Sequence, residues 1–359
     1  MSKQQSYSKK EWTIAEVADS LHVYDQQWRW AIGIAGVLLF ISVMISLSSG
    51  SVTIAFTDIL RILLYKFTSL KIGNWEMTHQ KIIWSIRFPR ILAGLLTGAG
   101  LSIAGATMQA ILRNPLASPY LLGVSSGASL GASLMILLGL TVGAWFIVPL
   151  GAFGGAMLAL SMVLLMGQNN HRLSTERLIL AGVAISALFG AMTSFVLYIS
   201  PDKGMREIIF WTLGSFQSAS WEKLIVPFVG VSLGAVLFIL KSNALNAMLM
   251  GEETAYTLGV NPVKLRKQLF VVVSIVAGGI VALYGVVGFV GLMIPHIVRL
   301  IIGNDYRKIL TGCLIVGGTF MLWADWAARI LFSPLEIPLG IITSLVGAPF
   351  FLWLMGKVR

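Results

Sequence analysis

The apolar residues of this chain are gathered into long runs, and its polar residues fall between them in short clusters. Ten of the runs approach or reach the ~20 residues that a helix needs to cross a hydrocarbon core about 30 Å thick. They cover approximately 30 to 48, 91 to 111, 120 to 139, 143 to 166, 178 to 199, 224 to 240, 269 to 286, 287 to 302, 309 to 331 and 337 to 354. The pattern predicts an all-α, polytopic membrane protein with about ten transmembrane helices, some short or broken. Residues 30–359 form the membrane domain behind a polar tail at 1–29.

The stretch from Leu269 to Ile302 is about 50 Å long as a helix, too long for one span and short for two. Glycine weakens helix and permits unusual dihedrals, so Gly285-Val-Val-Gly288-Phe-Val-Gly291 predicts a reversal beside at least one short helix. In the tail, Thr13 and Glu16 fit a capping box, and Ile14, Val17, Leu21 and Tyr24 recur at helical spacing. A short amphipathic helix on the membrane surface and an unstructured tail fit that segment about equally. The tail lacks the order of regions that marks a cleavable signal peptide, so the first span is expected to be retained.

Ten spans put both termini on one side. Of the 26 Lys and Arg residues, 16 fall on that side and 10 on the other, so the positive-inside rule places both termini in the cytoplasm. Six of the external charges lie between Gly50 and Arg90, and Arg87 and Arg90 flank Pro89 at the outer entrance to the second span. Asp325 and Arg329 are spaced i, i+4 near the external end of the ninth span and can pair along one helix face. Simple neutralisation explains that pair. Equally, Asp325 orients Arg329 toward an external partner, and with Arg87 and Arg90 it makes a docking surface for carboxylates.

Composition sharpens the picture. Hydrophobic residues are 57% of the 359, charged residues 11%, and mean hydropathy is +0.84. A soluble domain is about 25% charged. The net charge of +11 is scattered through the gaps between apolar runs, without the basic stripe or aromatic platform of a nucleic-acid surface. Cys313 lies inside an apolar run and the four histidines are dispersed, so no disulfide frame or metal cluster assembles locally and no cofactor is implied. No phosphate-binding loop, zinc-protease helix or serine-nucleophile elbow occurs. Gly123, Gly127 and Gly131, and Gly94 with Gly98, carry the small-residue spacing of closely packed membrane helices.

The longest internal cytoplasmic loop, 241–267, is patterned as two short helices. Met248 to Leu258 reads as the first, containing Gly251, Glu252 and Glu253 and stopped by Gly259. Asn261 then supplies an N-cap and Pro262 a first-turn residue for a second helix carrying Lys264, Arg266 and Lys267. A rigid helix pair of this kind suits docking to a partner domain.

These residues resemble the iron-chelate and cobalamin type permeases of binding-protein-dependent ATP-driven importers, the FecCD family, collinearly from about Val37 to Arg359. The resemblance rests on Arg87-Phe-Pro-Arg90 leading to Gly-Leu-Ser-Ile-Ala-Gly-Ala-Thr-Met-Gln109, and on Asn114-Pro-Leu-Ala-Ser-Pro-Tyr-Leu-Leu-Gly-Val124-Ser-Ser-Gly-Ala. Leu173 to Gly182, Gly251 to Gly259, Gly288-Phe-Val-Gly-Leu-Met-Ile-Pro295-His296, Asp325 to Arg329 and Glu336-Ile-Pro-Leu-Gly340 add to it.

The resemblance implies a subunit in the bacterial cytoplasmic (inner) membrane that pairs with a second permease chain, identical or paralogous, and rests on two ATPase subunits. An extracytoplasmic substrate-binding protein delivers the cargo, an iron–siderophore chelate or else haem or cobalamin. It further implies that Arg87, Arg90 and Arg329 dock the binding protein and that Asn114, Leu116, Ser174 and Thr175 line a cytoplasmic gate. Gly251, Glu252, Glu253, Leu258, Gly259, Asn261 and Pro262 would couple to the ATPases. A secondary transporter driven by an ion gradient is the competing reading, weakened because the runs hold only Asp325, Arg329 and, three residues from the end of its run, Arg299 as charges. An intramembrane enzyme using His296 stands third.

Overall fold

The computed structural model describes residues 14–357 except 51, 71, 141–143, 170–171 and 174. The helices are α1 (Ile14–Ser48), α2 (Phe56–Thr68), α3 (Met77–Lys81), α4 (Phe88–Leu112), α5 (Val124–Leu137), α6 (Ile147–Gly167), α7 (Thr175–Ile199) and α8 (Asp202–Leu213). They continue as α9 (Trp221–Leu240), α10 (Ser242–Leu249), α11 (Glu252–Thr257), α12 (Pro262–Tyr284), α13 (Val290–Ile302), α14 (Tyr306–Ile330) and α15 (Leu339–Lys357). A π-helical turn, Ile82–Arg87, joins α3 to α4, a 3-10 turn, Pro119–Leu122, precedes α5, and β1 (Gln168–Asn169) pairs antiparallel with β2 (Arg172–Leu173).

Among the described residues, eight helical stretches are long and apolar enough to cross a membrane, and α5 and α13 are apolar but shorter, so ten spans are present. The expected reversal near Gly285 falls between α12 and α13. Gly285 sits at φ +76°, and a Cβ there would come within 2.1 Å of the Trp211 carbonyl oxygen, so both conformation and space select glycine. Because Asn304 then lies between α13 and α14 on the side of both termini, an impermeant thiol reagent is expected to label Asn304→Cys, in a Cys313→Ala background, only from the cytoplasmic face. Labelling from outside would overturn the ten-span topology.

Three expectations need correction. The tail does not contribute a separate surface helix, because α1 runs unbroken from Ile14 through the first span; Thr13 lies outside the described residues. Arg87 and Arg90 do not flank a helix start, since helix is continuous from Met77 to Leu112. Pro89 cannot donate to a residue four earlier, and the chain absorbs this by widening into the π turn, where the Phe88 N–H reaches the Ile83 carbonyl. The two short cytoplasmic helices are really three elements, because the chain breaks at Gly251 (φ +117°) between α10 and α11, and the helix capped by Asn261 is the start of span α12 itself.

Buried α4 is the axis of the bundle, packed by α9, α12, α13 and α14. Contact with α14 is backbone to backbone: a Cβ on Gly98 would lie 2.0 Å from the Gly317 carbonyl oxygen. Contact with α13 is closer still, 1.7 Å from a Gly105 Cβ to the Gly291 carbonyl oxygen. In a lipid solvent such close approach supplies the dispersion energy that holds helices together.

Candidate functional site

The π turn and α4 present Arg87 and Arg90 on one side of the bundle end where α1 and α14 also finish, and Arg329 reaches the same place from α14. All three guanidinium groups meet there, but they are turned inward. Arg90 Nη2 lies 2.8 Å from Asp325 Oδ1, and its Nη1 and Nη2 donate to the two carboxylate oxygens of Glu336 at 3.0 and 2.9 Å. Arg329 Nε donates to Asp325 Oδ2 at 3.1 Å, the i, i+4 pair, while its Nη2 donates to Ser46 Oγ at 2.8 Å. Arg87 donates to the carbonyls of Leu47 and Val52.

Asp325 is thus the hub, 1% exposed and shared by two arginines. A buried carboxylate is tolerated only when paired and fully hydrogen-bonded, and the bidentate forks meet that condition. The exposed tips expected of docking arginines are replaced by satisfied groups, with Glu336 the most accessible member at 33% side-chain exposure. Glu336 carries no local signal as a partner of Arg90: 246 residues separate them.

The opposite end carries the residues that the resemblance assigns to a gate and to coupling. Arg113 ends α4 in the left-handed region, Asn114 Oδ1 accepts from the Leu116 N–H at 2.9 Å in a closed turn, and the Leu116 side chain is exposed. Thr175 begins α7; Ser174 lies outside the described residues. Among the described residues, no hydrogen bond joins this turn to Thr175.

Glu253 and Leu258 are exposed on and after α11, Gly259 has φ +79°, and Asn261 Oδ1 caps α12 by accepting the Lys264 N–H at 3.0 Å. Glu252 differs from its neighbour. Its Oε1 lies 2.7 Å from Nη2 of buried Arg266, whose Nε donates to the Ile111 carbonyl at 2.9 Å. A second network ties the same end together: Arg299 Nη2 donates to Gln109 Oε1 and Tyr306 Oη, both at 3.1 Å, and Asn246 bridges Asp305 and the Tyr306 N–H. Gln109 and Arg299 stood in the sequence without a partner because their spacing, 190 residues, has no local period.

Midway along α4, the two broken segments meet. Tyr120, on the 3-10 turn before α5, donates its hydroxyl to the Val287 carbonyl at 2.7 Å, giving the extended strand between α12 and α13 a partner it cannot find in lipid. His296 faces Phe350 edge-on at 6.2 Å, the contact of a packed side chain.

The model of the FecCD transport family matches residues 38–357. The chain is 36% identical over 337 residues to the hemin transport system permease protein HmuU of Yersinia pestis, covering 93% of this chain and 97% of that one. It is 38% identical over 334 residues to the vitamin B12 import system permease protein BtuC of Klebsiella pneumoniae, covering 92% and 94%. A solved structure of a metal-chelate type ABC transporter in an inward-facing conformation matches with a TM-score of 0.81 at 33% identity, over 92% of this chain and 100% of that one. Ten collinear spans, two broken segments and an almost end-to-end match leave one conclusion: the chain belongs to the FecCD transport family and is a membrane permease of the ABC importer type.

Proposed function

We propose that this permease belongs to an importer that moves an iron chelate of the siderophore class across the bacterial cytoplasmic membrane. In this reading it pairs with a second permease chain, draws energy from two ATPase subunits, and receives cargo from an extracytoplasmic binding protein; nucleic acid and resident cofactors play no part. The observation that carries it is the line Glu252–Arg266–Ile111 carbonyl. A push on α11 by a nucleotide-driven partner passes through two short polar contacts to the last turn of α4, and so to Asn114 and Leu116. The resemblance assigns Ser174 and Thr175 to the same gate.

Docking at the other end rests on the charge cluster. Three guanidinium groups face two carboxylates, leaving one positive charge in excess, so acidic residues of the binding protein compete with Glu336 for Arg90 and draw on Arg87 and Arg329 from beneath the surface. An open groove of about 540 Å³ along α15, lined by Leu213, Gly340, Ser344 and Leu345, supports a pathway between two permease chains.

The decisive experiment is reconstitution with ATPase and binding protein, measuring uptake and ATP hydrolysis with a ferric siderophore, haem and cobalamin. Stimulation by the ferric siderophore is expected; preference for haem, as the name of the Yersinia pestis relative implies for that protein, or for cobalamin would move the cargo class. Uptake driven by an ion gradient without ATPase would establish the secondary-transport reading. Within this assay, Glu253→Lys is expected to cut coupled transport at least tenfold with an unchanged melting temperature, because Glu253 is exposed. Full coupling in that variant would make the loop an inert connector.

A further inference from the structure

Between α6, α9 and α12 a narrow groove of about 290 Å³ opens onto the apolar belt, walled by Trp145, Phe153, Pro227 and Ile275 and floored by Gly230 and Gly279. The glycines make the space, since nothing lies within 4 Å of a Cβ added at either. Exposed Leu150 and Val226 flank its opening. The groove follows α12 from Ile275 to Leu283, eight residues or about 12 Å, close to the ~15 Å hydrocarbon depth of one leaflet. Its outer mouth holds a cation: Lys223 Nζ sits 6.0 Å from the centre of the Trp145 ring, and among the described residues Lys223 has no carboxylate partner.

We propose that this groove is a binding site for an anionic phospholipid of the external leaflet, one acyl chain lying over Gly230 and Gly279 and the phosphate held by Lys223. Charge and shape select the occupant. A polar ligand finds no partner along walls that are almost wholly apolar, and a lone ammonium at the hydrocarbon boundary beside an indole is the arrangement that captures a headgroup. The depth fits a chain from the adjacent leaflet and stops where that leaflet stops.

The test uses the assembled transporter, washed in detergent, equilibrated with equal amounts of phosphatidylglycerol and phosphatidylcholine, and read by native mass spectrometry. One phosphatidylglycerol per permease is expected to survive the wash. Gly279→Leu and Gly230→Leu, which fill the groove without a backbone clash, should each lower retention at least tenfold while the melting temperature stays within a few degrees of wild type; if one variant fails to fold, the other gives the reading. Lys223→Gln should keep a lipid but lose the preference for phosphatidylglycerol. Equal retention in a folded glycine variant, an unchanged preference in Lys223→Gln, or a protein chain rather than a lipid seated over Gly230 would overturn the proposal.

Discussion

Asp325→Ala is expected to cost about 3–5 kcal/mol of stability, the range found when one partner of a buried ion pair is removed and the other charge is left behind. Here two charges are left. Arg90 and Arg329 are both fixed by Asp325, and only Arg90 has a second carboxylate. Neither guanidinium reaches water without breaking its contacts to Glu336 or to Ser46 and Ser49. Denaturation of the purified chain in mixed micelles should show the loss directly, and the amount of protein recovered from membranes should fall with it. Asp325→Asn keeps an acceptor but removes the charge and should lie between; Glu336→Gln should be milder, because that carboxylate is partly solvated. A wild-type unfolding curve for Asp325→Ala would mean that the cluster contributes nothing net.

Gly105→Ala is expected to have the second-largest effect. One methyl group would lie 1.7 Å from the Gly291 carbonyl oxygen and 2.6 Å from its Cα, so the backbone of α4 or α13 must move. Overpacking of this kind costs about 1–3 kcal/mol or more. Pushing the two apart also strains the bond from Gln109 Nε2 to the Leu292 carbonyl and the Tyr120–Val287 contact. Melting temperature and coupled transport should both fall, whereas Gly154→Ala, where nothing lies within 4 Å, should change neither. Equal behaviour of the two variants would remove close α4–α13 packing as the reason for glycine at this position.

The features legible in the sequence are those with a local period or a local rule. The ten apolar runs, the break at Gly285, the Asn261 cap, the stop at Gly259 and the Asp325–Arg329 pair each depend on residues a few positions apart. The π turn has its cause in Pro89 but no distinct sequence mark, because proline there fits a helix start equally well. External helices α2 and α8 carry no such mark, because 13 and 12 residues fall below the length of a span. The inward turn of Arg87 and Arg90 and the structural role of Glu252 were out of reach, since they depend on partners brought close only when the bundle closes.

That distance has a consequence for how the protein is made. The central helix α4 and the π turn before it are threaded into the membrane early, carrying Arg90 and Gln109 on α4 and Arg87 on the turn. The carboxylate that neutralises Arg90 is translated 235 residues later. Throughout that interval the nascent chain holds basic groups that draw toward the lipid headgroups, and α4 has no settled neighbours on the faces later covered by α12, α13 and α14. Closure of the charge cluster therefore waits for α14 and the Glu336 segment, and a chain cut short before them holds Arg90 without either of its carboxylates.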